Sequence, residues 1–189
     1  MQSKLIALLV AAGLSATSFA ATEKFVLDAT HTYPSFEVDH LGFSMARGFF
    51  KDTTGTLELD RSAKSGKLAA VIKTASLETG LAKRDEHLRS KDFFNTAEFP
   101  TATVKADSFK FDGEKPVEAT GNLTMLGVTK PVTLKITPLR CDVRMGTDFV
   151  CGADVVTTIK RSDWGMKTYL PFIGDDVKIA VQVEAVKQK

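Results

Sequence analysis

The chain is poor in the residue types that carry most site chemistry. Its 189 residues include two cysteines, three histidines, one tryptophan and two tyrosines. Charge of one sign is missing too, because 25 Lys and Arg stand against 23 Asp and Glu, for a net charge of +2. A balanced chain without a basic stripe lacks the electrostatic footprint of a nucleic-acid binder. Long hydrophobic runs are absent: the longest, from Leu5 to Leu14, has about ten residues, where a membrane-spanning helix needs roughly 20. There is no Gly-rich phosphate loop, no dinucleotide fingerprint and no Gly-x-Ser-x-Gly elbow. His31, His40 and His87 fall at spacings that match no metal-ligand pattern with a nearby carboxylate. Neither a metal site nor a catalytic constellation is therefore expected.

What is present begins at the N-terminus. Lys4, the apolar run and the small residues of Ser18-Phe19-Ala20 have the layout of a secretory signal peptide over residues 1–20, cleaved after Ala20. No cysteine follows the run, so a lipoprotein anchor has no support. Removing the peptide takes away one lysine and no acid, and leaves residues 21–189 as a single domain large enough to bury a core unaided. Export favours pairing of Cys141 with Cys151.

From Lys24 onward, β-branched and aromatic residues alternate with polar ones between Gly, Pro, Asn and Asp, the pattern of half-buried antiparallel strands. Val177, Ile179, Val181 and Val183 share one face, as do Val132, Leu134 and Ile136, and more weakly Leu68, Ala70 and Ile72. Hairpins are expected at Asp112-Gly113-Glu114-Lys115, at Gly127-Val128-Thr129-Lys130 and near Met145-Gly146-Thr147. The last sets Cys141 and Cys151 across from one another on adjacent strands. A meander of this kind hides its edges best by closing, so the expected fold is all-β: an antiparallel barrel of about eight strands. Its one long connection, residues 77–100, holds a short helical element over 84–97 with Phe93, Phe94 and Phe99 packing over a barrel opening. Apolar periodicity slips near His40 within a strand read over 35–45, as at a bulge or a bend at a barrel rim.

Thirteen phenylalanines against two tyrosines is a marked excess of rings without hydroxyls. Large apolar groups gather where strands meet turns, and residues 161–173 are apolar without strand alternation, like a loop folded across a mouth. A small barrel can hold one ligand in place of its own side chains, and Met and Phe linings suit flexible chains. The candidate bore residues are Phe36, Val38, Phe43, Met45, Phe49, Phe94, Leu123, Met125, Trp164, Met166 and Phe172. His40, Arg84, His87 and Arg161, with Arg89 beside them, are candidates to meet a polar head group at the mouth.

Several blocks carry a family resemblance: Asp28-Ala29-Thr30-His31, Phe36-Glu37-Val38-Asp39-His40, Gly48-Phe49-Phe50-Lys51-Asp52-Thr53-Thr54-Gly55 and Ser76-Leu77-Glu78-Thr79-Gly80. Residues 84–100, Gly121-Asn122-Leu123-Thr124-Met125-Leu126-Gly127, Ile159-Lys160-Arg161-Ser162-Asp163-Trp164-Gly165-Met166 and Gly174-Asp175-Asp176-Val177-Lys178-Ile179 continue it in order. Together they resemble the YceI family of bacterial polyisoprenoid-binding proteins. The resemblance implies a lipocalin-like barrel in the periplasm that binds, transports or stores an isoprenoid quinone, a polyprenyl phosphate or a similar amphiphile. It implies no cofactor beyond such a lipid and no enzymatic activity. The Cys141/Cys151 pair is not part of the family pattern. Two alternatives stay open: a scaffold docking on an envelope redox protein such as a cytochrome, and an enzyme using His40 or His87 beside Asp39 or Asp85. Transient membrane contact and dimerisation are left open as well.

Overall fold

The computed structural model describes residues 22–189, so the expected signal peptide over 1–20 lies outside the described residues. In chain order the strands are β1 (Glu23–Leu27), β2 (Tyr33–His40), β3 (Ser44–Phe50), β4 (Thr53–Asp60), β5 (Ser65–Lys73) and β6 (Leu77–Glu78). The helix α1 (Ala82–Arg89) follows, then β7 (Thr101–Asp112), β8 (Lys115–Met125), β9 (Val128–Ile136), β10 (Arg140–Arg144), β11 (Asp148–Lys160) and β12 (Ile173–Lys187).

Eight of these strands close a ring. β1, β4, β5, β7, β8, β9, β11 and β12 pair in that order, and β12 returns to β1, every pairing antiparallel. This is the expected barrel. Strand β12 holds it together. One of its edges runs along β11 from Val150↔Val186 to Lys160↔Asp176, while the other is divided between β1 at Ala185–Lys187 and β2 at Ile173–Gln182. Strands β2, β3 and β6 thus extend the wall at one end, beyond where β1 stops. The β9–β11 seam is short, with Val155↔Ile136 and Val156↔Lys135 aligned. Thr137 lengthens it: its N–H donates to the Asp154 carbonyl at 2.9 Å, and its Oγ1 accepts from the Asp154 N–H at 2.8 Å.

Local sequence explains the turns. Leu41-Gly42, Leu126-Gly127 and Met145-Gly146 each place two successive residues at positive φ, the geometry of two-residue turns that match the twist of a hairpin. The strand expected over 35–45 is accordingly two strands, since Leu41-Gly42 turns β2 back into β3. The slip of period near His40 is that reversal and not a bulge. The helix is shorter than the expected span: Ser90 turns extended and ends it, and turns carry the chain through Phe93 and Phe94. Between β7 and β8, Gly121 lets the backbones approach closely where the register shifts near Ala106, because a Cβ there would collide with the Lys105 carbonyl.

Two apolar clusters fill the ends of the barrel. At the end holding the 60–65 and 112–115 turns, Phe25, Leu27, Leu59, Cys151 and Ala185 are buried with Phe109, Phe111, Leu139 and Phe149 packed against them. Cys141 and Cys151 are register partners in the β10–β11 hairpin and form a disulfide, with Cα atoms 4.0 Å apart. Toward the other end, Trp164 packs with Leu123, Met125, Ile72 and Ile159, and Phe50 and Phe94 lie against them.

Residues 161–174, which cross that second end, are shaped by one side chain. Arg161, 3% exposed, donates from Nε to the Gly174 carbonyl (2.8 Å) and from Nη1 to the Met166 carbonyl (3.0 Å). Its Nη2 donates to the carbonyls of Thr168 (3.0 Å) and Ile173 (2.9 Å). Burial pulls the guanidinium below its ordinary pKa, with Asp175 opposing the shift. Asp175 accepts from the Ser162 hydroxyl (2.7 Å) and the Ser162 N–H (2.9 Å). Burial raises the Asp175 pKa, but these bonds and the charges of Lys160 and Arg161 outweigh it and hold the carboxyl below the usual range. The joint between β1 and β2 is held similarly. Asp28 accepts from Thr30 Oγ1 (2.6 Å) and Arg144 Nη1 (2.9 Å), and its carboxyl is held far below the usual range, first by the Thr30 hydroxyl and then by Arg144 and His31.

A Cys141→Ser/Cys151→Ser protein should lose about 2–3 kcal/mol of unfolding free energy in urea, from the short loop the bridge closes, while keeping its barrel spectrum. Arg161→Met should cost about 3–5 kcal/mol by the same measurement, because several inward carbonyls lose charged donors. Arg161→Lys should recover little of this, since an ammonium cannot reproduce the fork. As for pH, depressed carboxyls stabilise the fold above their unfolded pKa of about 3.9 and lose that contribution as pH falls through the folded value. Unfolding free energy should thus hold level down to about pH 4 and then decline, and the decline should be shallower in Asp28→Asn.

Candidate functional site

The inward positions of the strands enclose a cavity of about 410 Å3. Leu59, Phe109, Pro116 and Leu139 line it toward the disulfide end, and Arg84, His87, Leu88, Phe93 and Phe94 toward the α1 end, so it runs the length of the barrel. Between them the walls are built from alternate residues of single strands. Val177, Ile179, Val181 and Val183 of β12, Val132, Leu134 and Ile136 of β9, and Leu68, Ala70 and Ile72 of β5 all face inward, as their alternation predicts. The space exists because several inward positions are small. Ala46, Ala70, Ala102, Ala119 and Ala153 all line it. An eight-stranded barrel is otherwise just wide enough for its own side chains to fill.

The candidate bore residues separate into two groups. Phe36, Val38, Phe94, Leu123, Met125 and Met166 line the cavity. Phe43, Met45, Phe49, Trp164 and Phe172 do not, which corrects the expectation for these five. Phe43 is 89% exposed and Phe172 68% exposed, because the first sits beside the Leu41-Gly42 turn and the second ends the loop crossing the mouth. Met45 and Phe49 belong to β3, where Ala46, Arg47 and Phe50 line the cavity; paired with β2 at Val38↔Ala46 and Phe36↔Gly48, β3 turns its even-numbered apolar face to the bore alongside Phe36 and Val38. Phe49 meets the Tyr33 ring edge-on instead, with centroids 6.4 Å apart. Trp164 is a core residue whose Nε1 donates to the Leu123 carbonyl at 3.2 Å.

All four head-group candidates border the cavity at the α1 end, but their donors differ in availability. The Arg161 guanidinium is committed to four backbone carbonyls. Arg84 donates to Thr79 Oγ1 (2.8 Å) and to the Thr79 carbonyl (2.7 Å), and Arg89 to the carbonyls of Ala75 and Leu77. His87 Nε2 lies 3.1 Å from Asp92 Oδ2, with its ring edge-on to Phe93 and Tyr169. His40 is exposed at the end of β2. The carboxylates considered as partners for these histidines have other tasks. Asp39 accepts from the Gly42 N–H at 2.9 Å, and Asp85 from the N–H and hydroxyl of Thr79 at 2.9 and 2.5 Å.

One grouping was not foreseen. Ligand atoms of Asp28, His31 and Glu184 lie within 4.8 Å of one another, outside the barrel end of β12. Arg144 Nη1 reaches Asp28 Oδ2 at 2.9 Å and Glu184 Oε2 at 2.8 Å, so a guanidinium already supplies the positive charge that this set needs. The residues that sequence reading missed are four of the inward alanines, Ala46, Ala102, Ala119 and Ala153. Their signal was small residues at alternate strand positions, which composition-based reasoning treats as neutral filler.

Comparison with known proteins agrees with this geometry. The model of the YceI-like domain family matches residues 25–185. Protein YceI of Escherichia coli O157:H7 is 37% identical over 174 residues, covering 92% of this chain and 91% of the relative. A crystal structure of the Campylobacter jejuni YCEI protein superposes with a TM-score of 0.66 at 30% identity, covering 80% of this chain and 90% of that one. A polyisoprenoid binding domain from Saccharophagus degradans, implicated in plant cell wall breakdown, shares the fold with a TM-score of 0.63 at 19% identity over 87% of this chain and 98% of that one. A closed antiparallel barrel with an unfilled apolar bore, together with these matches along nearly its whole length, places the chain in the YceI family.

Proposed function

We propose that the protein is an exported, periplasmic binding protein that holds a long-chain isoprenoid lipid, an isoprenoid quinone or a polyprenyl phosphate, and carries or stores it without altering it. The observation that supports this most is the continuous apolar cavity of about 410 Å3, walled by aliphatic and aromatic side chains from the disulfide end to α1. An isoprenoid tail is insoluble in water, and its transfer into such a bore is favoured by about 25 cal/mol for each Å2 of apolar surface buried. The tail would dominate affinity. The head would lie by His40, Arg84 and His87 at the α1 end, where water and polar groups meet it. Membership of the YceI family, and the shared fold of a domain described as polyisoprenoid binding, point the same way. The disulfide fits an oxidising compartment. A binding role without chemistry agrees with the engagement of Asp39 and Asp85 in local hydrogen bonds, away from any acid–base pairing with His40 or His87.

Mass spectrometry of organic extracts from natively purified protein should detect a long-chain lipid in stoichiometric amount. Ala119→Trp and Ala153→Phe, which place bulk in the bore, should reduce the bound lipid by about tenfold or more while the strand spectrum persists. A protein that is empty as isolated, and takes up no long-chain lipid in either form, would contradict the proposal.

A further inference from the structure

The bore explains the inward-facing apolar residues but not a group that faces outward around its mouth. Leu41 and Phe43 flank Gly42 at the tip of the β2–β3 hairpin, and Tyr169 and Phe172 lie on the loop that crosses the α1 end. Their exposures are 48%, 89%, 53% and 68%. The two loops form one rim, because the Leu41 N–H donates to the Phe172 carbonyl at 2.9 Å. That rim is continuous with the cavity: His40, next to Leu41, lines it, and so does Tyr169, whose ring packs against His87 and Phe93 with centroids 6.0 and 6.2 Å away. Among the described residues, the opposite end of the barrel presents no comparable ring of aromatics, its large exposed apolar residues being Val143 and Met145.

We propose that this rim docks the protein on a lipid bilayer: Leu41, Phe43, Tyr169 and Phe172 enter the interfacial layer and set the mouth of the bore against the membrane. The inference rests on the lipid-binding reading above and adds the step by which cargo enters and leaves. An isoprenoid tail that left the membrane through water would expose its whole apolar length, whereas a mouth seated in the interface offers a continuous apolar path. Tyr is enriched at the headgroup boundary, and Phe and Leu are the side chains that interfacial elements bury there. The size of the patch favours a bilayer over a second copy of the chain. Four side chains exposed to these degrees offer about 500 Å2, while a stable dimer buries about 800 Å2 on each partner. Charge contributes little, since Lys and Arg exceed Asp and Glu by two in the whole chain. Docking therefore depends on apolar insertion and is insensitive to salt.

The test uses Phe43→Asp/Phe172→Asp, two positions outside the bore. Vesicles of phosphatidylethanolamine and phosphatidylglycerol carrying a long-chain isoprenoid quinone are floated with wild-type or variant protein, and quinone transfer to the protein is timed. Uptake of the same quinone from detergent micelles is measured in parallel. The proposal expects the variant to lose vesicle binding and transfer by about tenfold or more, with micellar uptake unchanged and wild-type binding the same at low and high salt. Transfer by the variant at the wild-type rate, failure of the wild type to bind vesicles, or binding abolished by salt would each overturn it. So would a wild-type dimer in sedimentation that the variant loses, since the rim would then belong to a second copy. A wild type that binds vesicles through the rim but takes up quinone from neither source would uphold docking and refute the carrier function instead.

Discussion

The volume of the inward side chains against the width of an eight-stranded ring is the constraint on which everything else depends. With large residues at every inward position, such a ring is a solid core. Here Ala70, Ala102, Ala119 and Ala153 stand on separate strands between rows of Val, Leu and Ile, and the interior stays open along its axis. The fold forgoes packing contacts in the middle and makes them at the ends. Phe25, Leu59, Phe109 and the disulfide close one end, while Trp164, Met125 and Phe94 brace the other.

An open bore needs walls that do not collapse, and the closure of the ring supplies them. β12 binds β11 along one edge and both β1 and β2 along the other, so a single strand joins the barrel to its flared end. Arg161 does for the mouth what β12 does for the wall. A residue that looked like a ligand for an anionic head is instead an internal scaffold, since its guanidinium gathers four carbonyls of the loop that follows it. The cations at the mouth are thus first of all structural, so under the proposed function affinity would come mainly from the lipid tail.

Much of this was legible in the sequence because strand periodicity is a strong signal. The rows on β12, β9 and β5 were read with the correct inward face, and the Cys141–Cys151 pair followed from the hairpin around Gly146. Phe43 and Met45 were misplaced for one reason: Leu41-Gly42 does not look like the Asn-Gly usually found in such turns, so a reversal was read as a bulge or a bend within one strand. Once β3 is a separate strand, its pairing with β2 at Val38↔Ala46 sets its inward face, and Ala46 and Phe50 line the bore beside Phe36 and Val38. Trp164 and Phe172 lie outside regular strands, where alternation carries no information and a single side chain, Arg161, decides the path of the loop. Ala102, Ala119 and Ala153 escaped notice because what they contribute is space.

The central claim is that this space is occupied by one long apolar chain. An experimental electron-density map of the protein, purified without detergent or added lipid, tests it most directly. Elongated, continuous density is expected from the level of Leu59 and Phe109 to the mouth beside His87, in contact with Ala119 and Ala153. A bore filled by rearranged side chains, or by separate ordered waters, would contradict it.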